Sequence, residues 1–84
     1  MRYVDRDNVD ITLDEFCQEQ ANNRVARTTI GDCTVSTVWT GIDLGDGLIF
    51  ETLVISPRPI DRQVRYATEL DALAGHLECV RDLS

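Results

Sequence analysis

Residues 24 to 55 read Arg-Val-Ala-Arg-Thr-Thr-Ile, Gly-Asp, Cys-Thr-Val-Ser-Thr-Val-Trp-Thr-Gly-Ile, Asp-Leu-Gly-Asp-Gly and Leu-Ile-Phe-Glu-Thr-Leu-Val-Ile. Three of these segments, Arg24–Ile30, Cys33–Ile42 and Leu48–Ile55, are rich in Val, Ile and Thr, whose branched side chains pack well on a pleated surface. Gly31-Asp32 forms a two-residue turn, and Asp43 to Gly47 a five-residue loop with glycines where positive φ is needed. Both connections are hairpins, so the sequence predicts an antiparallel three-stranded meander. Pairing Ile30 with Cys33 and Ile42 with Leu48 places Ala26, Ile30, Cys33, Val35, Trp39, Ile49, Leu53 and Ile55 on one face, the expected core. The other face then carries Val25, Arg27, Thr29, Thr34, Ser36, Val38, Thr40, Leu48, Phe50, Thr52 and Val54. Hydroxyls, one arginine and several apolar groups in that mixture suit a surface covered by a partner or ligand. The ordinary alternative is scattered surface hydrophobes.

A helix is expected on either side of the meander. Thr12 as N-cap with Glu15 three residues on makes a capping box, and Ile11 with Phe16 has the spacing of a hydrophobic staple. The spacing predicts helix from Leu13 to Asn22, with Leu13, Phe16, Cys17 and Ala21 as its buried stripe. The ten residues before it read as a polar lead-in with a short strand at Arg2-Val4. Asp5-x-Asp7 there lacks the remaining ligands and the glycine of a calcium loop and reads as a solvated turn. After Ile55, Ser56-Pro57-Arg58-Pro59 is a stiff extended turn. Thr68 caps a second helix, Glu69 to about Asp82, with Leu70, Leu73, Ala74, Leu77 and Val80 as core stripe and Ala72, His76, Cys79 and Leu83 as a second, weaker one. The fold class is thus α+β, ordered α-β-β-β-α, in one domain spanning residues 1–84.

At 84 residues the chain buries a modest core of its own, so a second subunit is expected to help, as a dimer or higher homo-oligomer. The hydrophobic fraction of 43% and charged fraction of 27% are those of a globular protein. No apolar run approaches bilayer length and the first residues lack a secretory stretch, so the expectation is cytoplasmic with no membrane partner. A formal charge of -7 repels phosphates, which disfavours duplex nucleic acid and favours basic protein surfaces. Three cysteines without a C-x-x-C pair imply a reducing compartment. A zinc site from Cys17, Cys33, His76 and Cys79 would need ligands in closely spaced pairs and only one such pair exists, so no metal and no cofactor are expected.

Catalytic signatures are missing. There is no P-loop, G-x-G-x-x-G or H-E-x-x-H, and the single histidine, His76, sits mid-helix beside leucines, where packing is the commoner role. Asp43 and Asp46 read as turn formers. Arg58, Arg62 and Arg65 beside Tyr66, with Arg27 on the sheet, could hold a phosphate and stack a base. Pairing of those arginines with the acidic N-terminal half or with a second subunit is the competing reading.

The segments Val35-Ser36-Thr37-Val38-Trp39-Thr40-Gly41, Leu48-Ile49-Phe50-Glu51-Thr52, Arg65-Tyr66-Ala67-Thr68 and Ala72-Leu73-Ala74-Gly75-His76 resemble a family of small bacteriophage and prophage proteins, especially those of actinobacterial phages, for which no activity is established. The likeness runs from about Ile11 to Val80, and the loop after Asp43 is shorter than the family's. The resemblance implies a non-enzymatic inhibitor of bacterial anti-phage defence acting in the infected cell. In one version Asp5, Asp7, Asp10, Asp14 and Glu19 mimic nucleic-acid phosphates and block a basic groove of a defence protein. In another the chain is an oligomeric sponge for an immune nucleotide, held by Arg58, Arg62, Arg65, Tyr66 and Arg27. A structural phage protein without ligand and a weak hydrolase complete the alternatives. Partner contact is expected at Thr34, Ser36, Thr40, Phe50, His76 and Cys79.

Overall fold

A computed structural model describes residues 1–57 and 62–84. In chain order the elements are β1 (Arg2–Tyr3), α1 (Leu13–Glu19) running into a 3-10 turn (Gln20–Asn22), β2 (Arg24–Ile30), β3 (Cys33–Trp39), β4 (Ile42–Asp43), β5 (Phe50–Ile55), β6 (Gln63–Tyr66) and α2 (Glu69–Leu83). The meander is present as β2-β3-β5, and β6 extends it to a four-stranded antiparallel sheet in the order β2-β3-β5-β6. Short strands β1 and β4 pair separately, Arg2 with Asp43 and Tyr3 with Ile42. The α+β class, the two helices and the N-terminal strand follow the local signals. Glu15 N–H donates to Thr12 Oγ1 and Thr12 N–H to Glu15 Oε1, both at 3.1 Å, which is the reciprocal capping box. Gly31 at φ 60° makes the β2–β3 turn a tight two-residue hairpin with glycine at its first central position.

The β3–β5 register differs from expectation by one residue. Trp39 pairs with Phe50 and Thr34 with Ile55, so Phe50, Thr52 and Val54 share the face of Trp39, Thr37 and Val35, and Leu53 and Ile55 turn outward. One residue of slip moves every side chain of a strand to the other face. The cause lies at Gly41, which has φ 71° and would place a Cβ 2.7 Å from the Trp39 ring and 2.8 Å from Phe16. The chain bends there with the two rings packed against bare backbone. Strand β3 therefore ends at Trp39, and Ile42-Asp43 leaves the sheet for β1. The hairpin is closed instead by Thr40, whose N–H and hydroxyl both donate to the Ile49 carbonyl, at 2.8 and 3.0 Å.

The second helix also docks on the stripe that looked weaker. Ala72, Gly75, His76 and Cys79 are buried, while Leu70 and Leu77 stand 78% and 63% exposed. Small residues let the helix come close: the Tyr66 phenol lies where a side chain at position 75 would start. His76 supplies hydrogen bonds that the hydroxyl-bearing sheet needs, and a leucine could not. On α1 only Phe16 of the expected stripe packs inward; Leu13, Cys17 and Ala21 are exposed. Two clusters result. Val4, Trp39, Ile49, Phe50 and Ala72 form one with Ile11, Phe16, Val25 and Tyr66 against it, and Val35, Val54 and Cys79 form the other with Ile30, Val80 and Leu83. The opposite sheet face, with Arg27, Ser36 and Leu53 in one row and Thr29, Thr34 and Ile55 in the next, has no helix over it among the described residues.

Candidate functional site

An open groove of about 240 Å³ lies where the N-terminal segment meets the end of α1, lined by Asp5, Arg6, Asp7, Glu19 and Trp39. The tight turn at Asp5 builds one wall. Its Oδ1 accepts from the N–H groups of Asp7 and Val9, both at 2.9 Å, and Asn8 takes a left-handed conformation at φ 64°. An aspartate that bonds its own backbone this way fixes a turn, which is the role expected for this segment. Glu19 arrives from the last turn of α1, and Trp39 from the end of β3. Arg6 is the cation of the groove, and it is already engaged: one nitrogen meets Glu69 Oε1 at 2.7 Å and the other the carbonyls of Asn22 and Arg24. The carboxylates of Asp7 and Glu19 have no ion-pair partner among the described residues. The buried Trp39 Nε1–H meets no acceptor among them either. A second, wider groove shares Arg6 and Asp7 and continues past Asn8 to Ala67–Leu70.

Of the five acids expected to form one face, Asp5, Asp7 and Glu19 converge here. Asp14 stays exposed in the first turn of α1, where a carboxylate favours the helix N-terminus. Asp10 is bound to Arg2 at 2.8 Å, and the same guanidinium reaches Asp43 at 3.0 Å. Asp43 organises its loop as the sequence reading anticipated, with Oδ1 accepting from Gly45 N–H and Gly47 N–H at 2.8 and 3.0 Å. Those two backbone donors, with Arg2 beside them, hold its carboxyl below the ordinary range.

The arginine cluster is not assembled as a free anion site. Arg62 donates to Asp82 at 3.0 Å, and Arg65 to Asp46 at 3.1 Å and the Leu48 carbonyl at 2.8 Å. Tyr66 is half-buried under Gly75, and burial raises its phenol pKa. Arg58 lies outside the described residues. Arg27 stands exposed on the uncovered sheet face beside Ser36, with Thr34 in the next row. Thr40 is tied to the Ile49 carbonyl.

Three expected contact residues are interior. Phe50 and Cys79 are core members, placed there by the β5 register and by the docking face of α2. His76 is 3% exposed, with Nε2 2.9 Å from Thr28 Oγ1 and Nδ1 2.7 Å from Thr37 Oγ1. Thr37 continues to Thr52 at 2.6 Å. Burial lowers the His76 pKa, so the ring is held neutral, with one nitrogen donating and the other accepting. A histidine beside threonine hydroxyls has the elements of a base and nucleophile. Here both ring nitrogens are occupied by hydroxyls of the sheet, none of which lines either groove. The network joins helix to sheet.

Comparison with protein-family models, with curated proteins and with solved structures finds no match.

Among the described residues no helix is long and apolar enough to cross a membrane. They also hold no group of three or more His, Cys, Asp or Glu able to take a metal ion.

Proposed function

We propose that this chain is a non-enzymatic binding protein that inhibits its target by stoichiometric association, through an acidic face centred on the Trp39 groove. The observation that carries this reading is the convergence of Asp5 and Asp7 from the N-terminal turn and Glu19 from α1 on one groove, with the groove's arginine turned to Glu69. Carboxylates spaced along an accessible rim attract a basic surface, raise the encounter rate and reject acidic partners. The net charge of -7 acts in the same direction over longer range. A surface that binds nucleic acid through its phosphates is the natural complement. With the phage-family resemblance, the target class is a nucleic-acid-binding protein of bacterial anti-phage defence, met in the cytoplasm of the infected cell. The nucleotide-sponge alternative draws less support, because a phosphate at Arg62 or Arg65 must displace Asp82 or Asp46.

The test is a binding assay by biolayer interferometry against purified defence nucleases and CRISPR effectors, each with and without its nucleic acid. The expected result is one-to-one binding that competes with nucleic acid and weakens with added salt. Substituting Asp5→Asn, Asp7→Asn and Glu19→Gln together should weaken it at least about tenfold, that is about 1.4 kcal/mol. Binding unaffected by both salt and the triple substitution would refute the acidic-face reading.

A further inference from the structure

Strand β2 is an edge of the sheet, and no strand among the described residues pairs with its outer side; the Arg6 guanidinium holds the Arg24 carbonyl at its start. Its turn sets which backbone groups point outward. A two-residue hairpin closes on a hydrogen-bonded pair, here Ile30 with Cys33. Alternation along an antiparallel ladder then turns the N–H and C=O of Thr28 toward β3, and those of Arg27 and Thr29 toward the open edge. An unprotected edge of this length is a template for another strand.

The same side of the molecule carries the exposed leucines. Glu69 and His76 mark the β2 side of α2: Glu69 holds Arg6, which bonds the Arg24 carbonyl, and His76 bonds Thr28. The other side faces β6, where Gly75 meets Tyr66 and Asp82 meets Arg62. Leu73 follows Glu69 by four residues and precedes His76 by three, which stacks it on the β2 side, with Leu77 one turn beyond and Leu70 one turn before. An apolar shoulder therefore overhangs the free edge.

We propose that β2 pairs antiparallel with β2 of a second copy of this chain about a two-fold axis at Thr28, perpendicular to the sheet. That operation keeps both α2 helices on one face of a continuous sheet and brings their leucine shoulders toward each other. In this register Arg27 exchanges both ladder bonds with Thr29 of the second copy, and Thr29 with its Arg27, which uses the outward groups of the edge. Ala26 falls opposite Ile30 of the second copy, and the regular ladder stops there, because the register of β2 is irregular between Arg24 and Ala26 and Arg6 already holds the Arg24 carbonyl. Shifting the axis to Arg27 would set the two Arg27 side chains against each other, a like-charge pair that disfavours that register. A second copy satisfies edge and shoulder with one symmetric contact.

Sedimentation velocity over a concentration series reads the outcome. The wild-type chain should sediment as a dimer. Leu77→Asp puts a charge on the exposed shoulder, and Thr29→Pro removes only an outward-facing N–H, so each should leave a folded monomer by circular dichroism. Because this register sets position 27 against position 29 of the second copy, a mixture of Arg27→Cys and Thr29→Cys chains should form a disulfide-linked dimer on oxidation, and either variant alone should not. A wild-type chain that is monomeric throughout overturns the proposal, as does a dimer that survives Leu77→Asp. A mixture that links no better than either variant alone overturns the register about Thr28.

Discussion

Replacing Gly75 by alanine tests the docking of α2, because the two available readings give opposite signs. If the leucine stripe Leu70, Leu73, Leu77 were the core, position 75 would face away from the sheet, and alanine would stabilise the helix by about 1 kcal/mol through propensity. In the structure a Cβ at Gly75 overlaps the Tyr66 ring, with Cε1 at 2.6 Å and the hydroxyl closer still. Either α2 must rise from the sheet or the phenol must move. Overpacking costs about 1–3 kcal/mol, and an overlap this deep with a ring belongs at the upper end, about 3 kcal/mol. Subtracting the propensity gain of about 1 kcal/mol leaves a net loss of about 2 kcal/mol. For a domain of this size that lowers Tm by the order of 10 °C. Urea and thermal denaturation followed by circular dichroism measure it directly. In a Tyr66→Leu background, with the ring gone, Gly75→Ala should become neutral or mildly stabilising, and the difference between backgrounds is the coupling energy. A Gly75→Ala variant as stable as wild type or more so would refute this placement of the helix.

Further outcomes follow from the same geometry. Gly41→Ala should destabilise by about 2 kcal/mol or more, since alanine at φ 71° is strained and its methyl enters the Trp39–Phe16 contact; chemical denaturation checks it. His76 has a folded pKa lowered from 6.5, so the unfolded chain takes up the proton first. Its contribution is complete above the unfolded value and is lost as pH falls through 6.5 toward the folded value. His76→Gln should remove that component of the pH dependence while costing about 1–3 kcal/mol at neutral pH, as read by denaturation between neutral and mildly acid pH. Cys17 should react with a thiol reagent in the native state and Cys79 only on unfolding, a difference mass spectrometry of the labelled protein resolves.

Local signals carried most of the architecture. The capping box at Thr12 and Glu15, the Thr68 cap and the Gly31-Asp32 turn involve neighbours within four residues, so their chemistry can be read without knowing the rest of the fold. The meander needed only those turns and the β-branched runs between them. The Asp5 turn and the Asp43 loop were legible for the same reason, because an aspartate bonds backbone two to four residues on. The acidic groove was half legible: five carboxylates could be named, but which three of them line one groove depends on where the N-terminal segment meets the end of α1. Trp39 as a lining residue had no sequence signal, since a tryptophan in a strand reads as core.

Two matters were decided only in three dimensions, and both are choices between faces. Alternation along a strand has a period of two, so Phe50–Ile55 offered two sets, one with Leu53 and Ile55 and one with Phe50, Thr52 and Val54. The kink at Gly41, set by packing of Trp39 against Phe16, selected the second, and Ile49, just before the strand, is buried as well. Helix α2 likewise offered leucines on one side and Ala, Gly, His and Cys on the other. Hydrophobicity alone favoured the leucines, whereas the hydroxyl-bearing sheet and the Tyr66 ring required small residues and a hydrogen-bonding partner. The sequence by itself therefore determined which elements exist and in what order, because those depend on neighbours along the chain. Tertiary structure alone decided which side of each element is buried, because that depends on the fit between surfaces far apart in sequence.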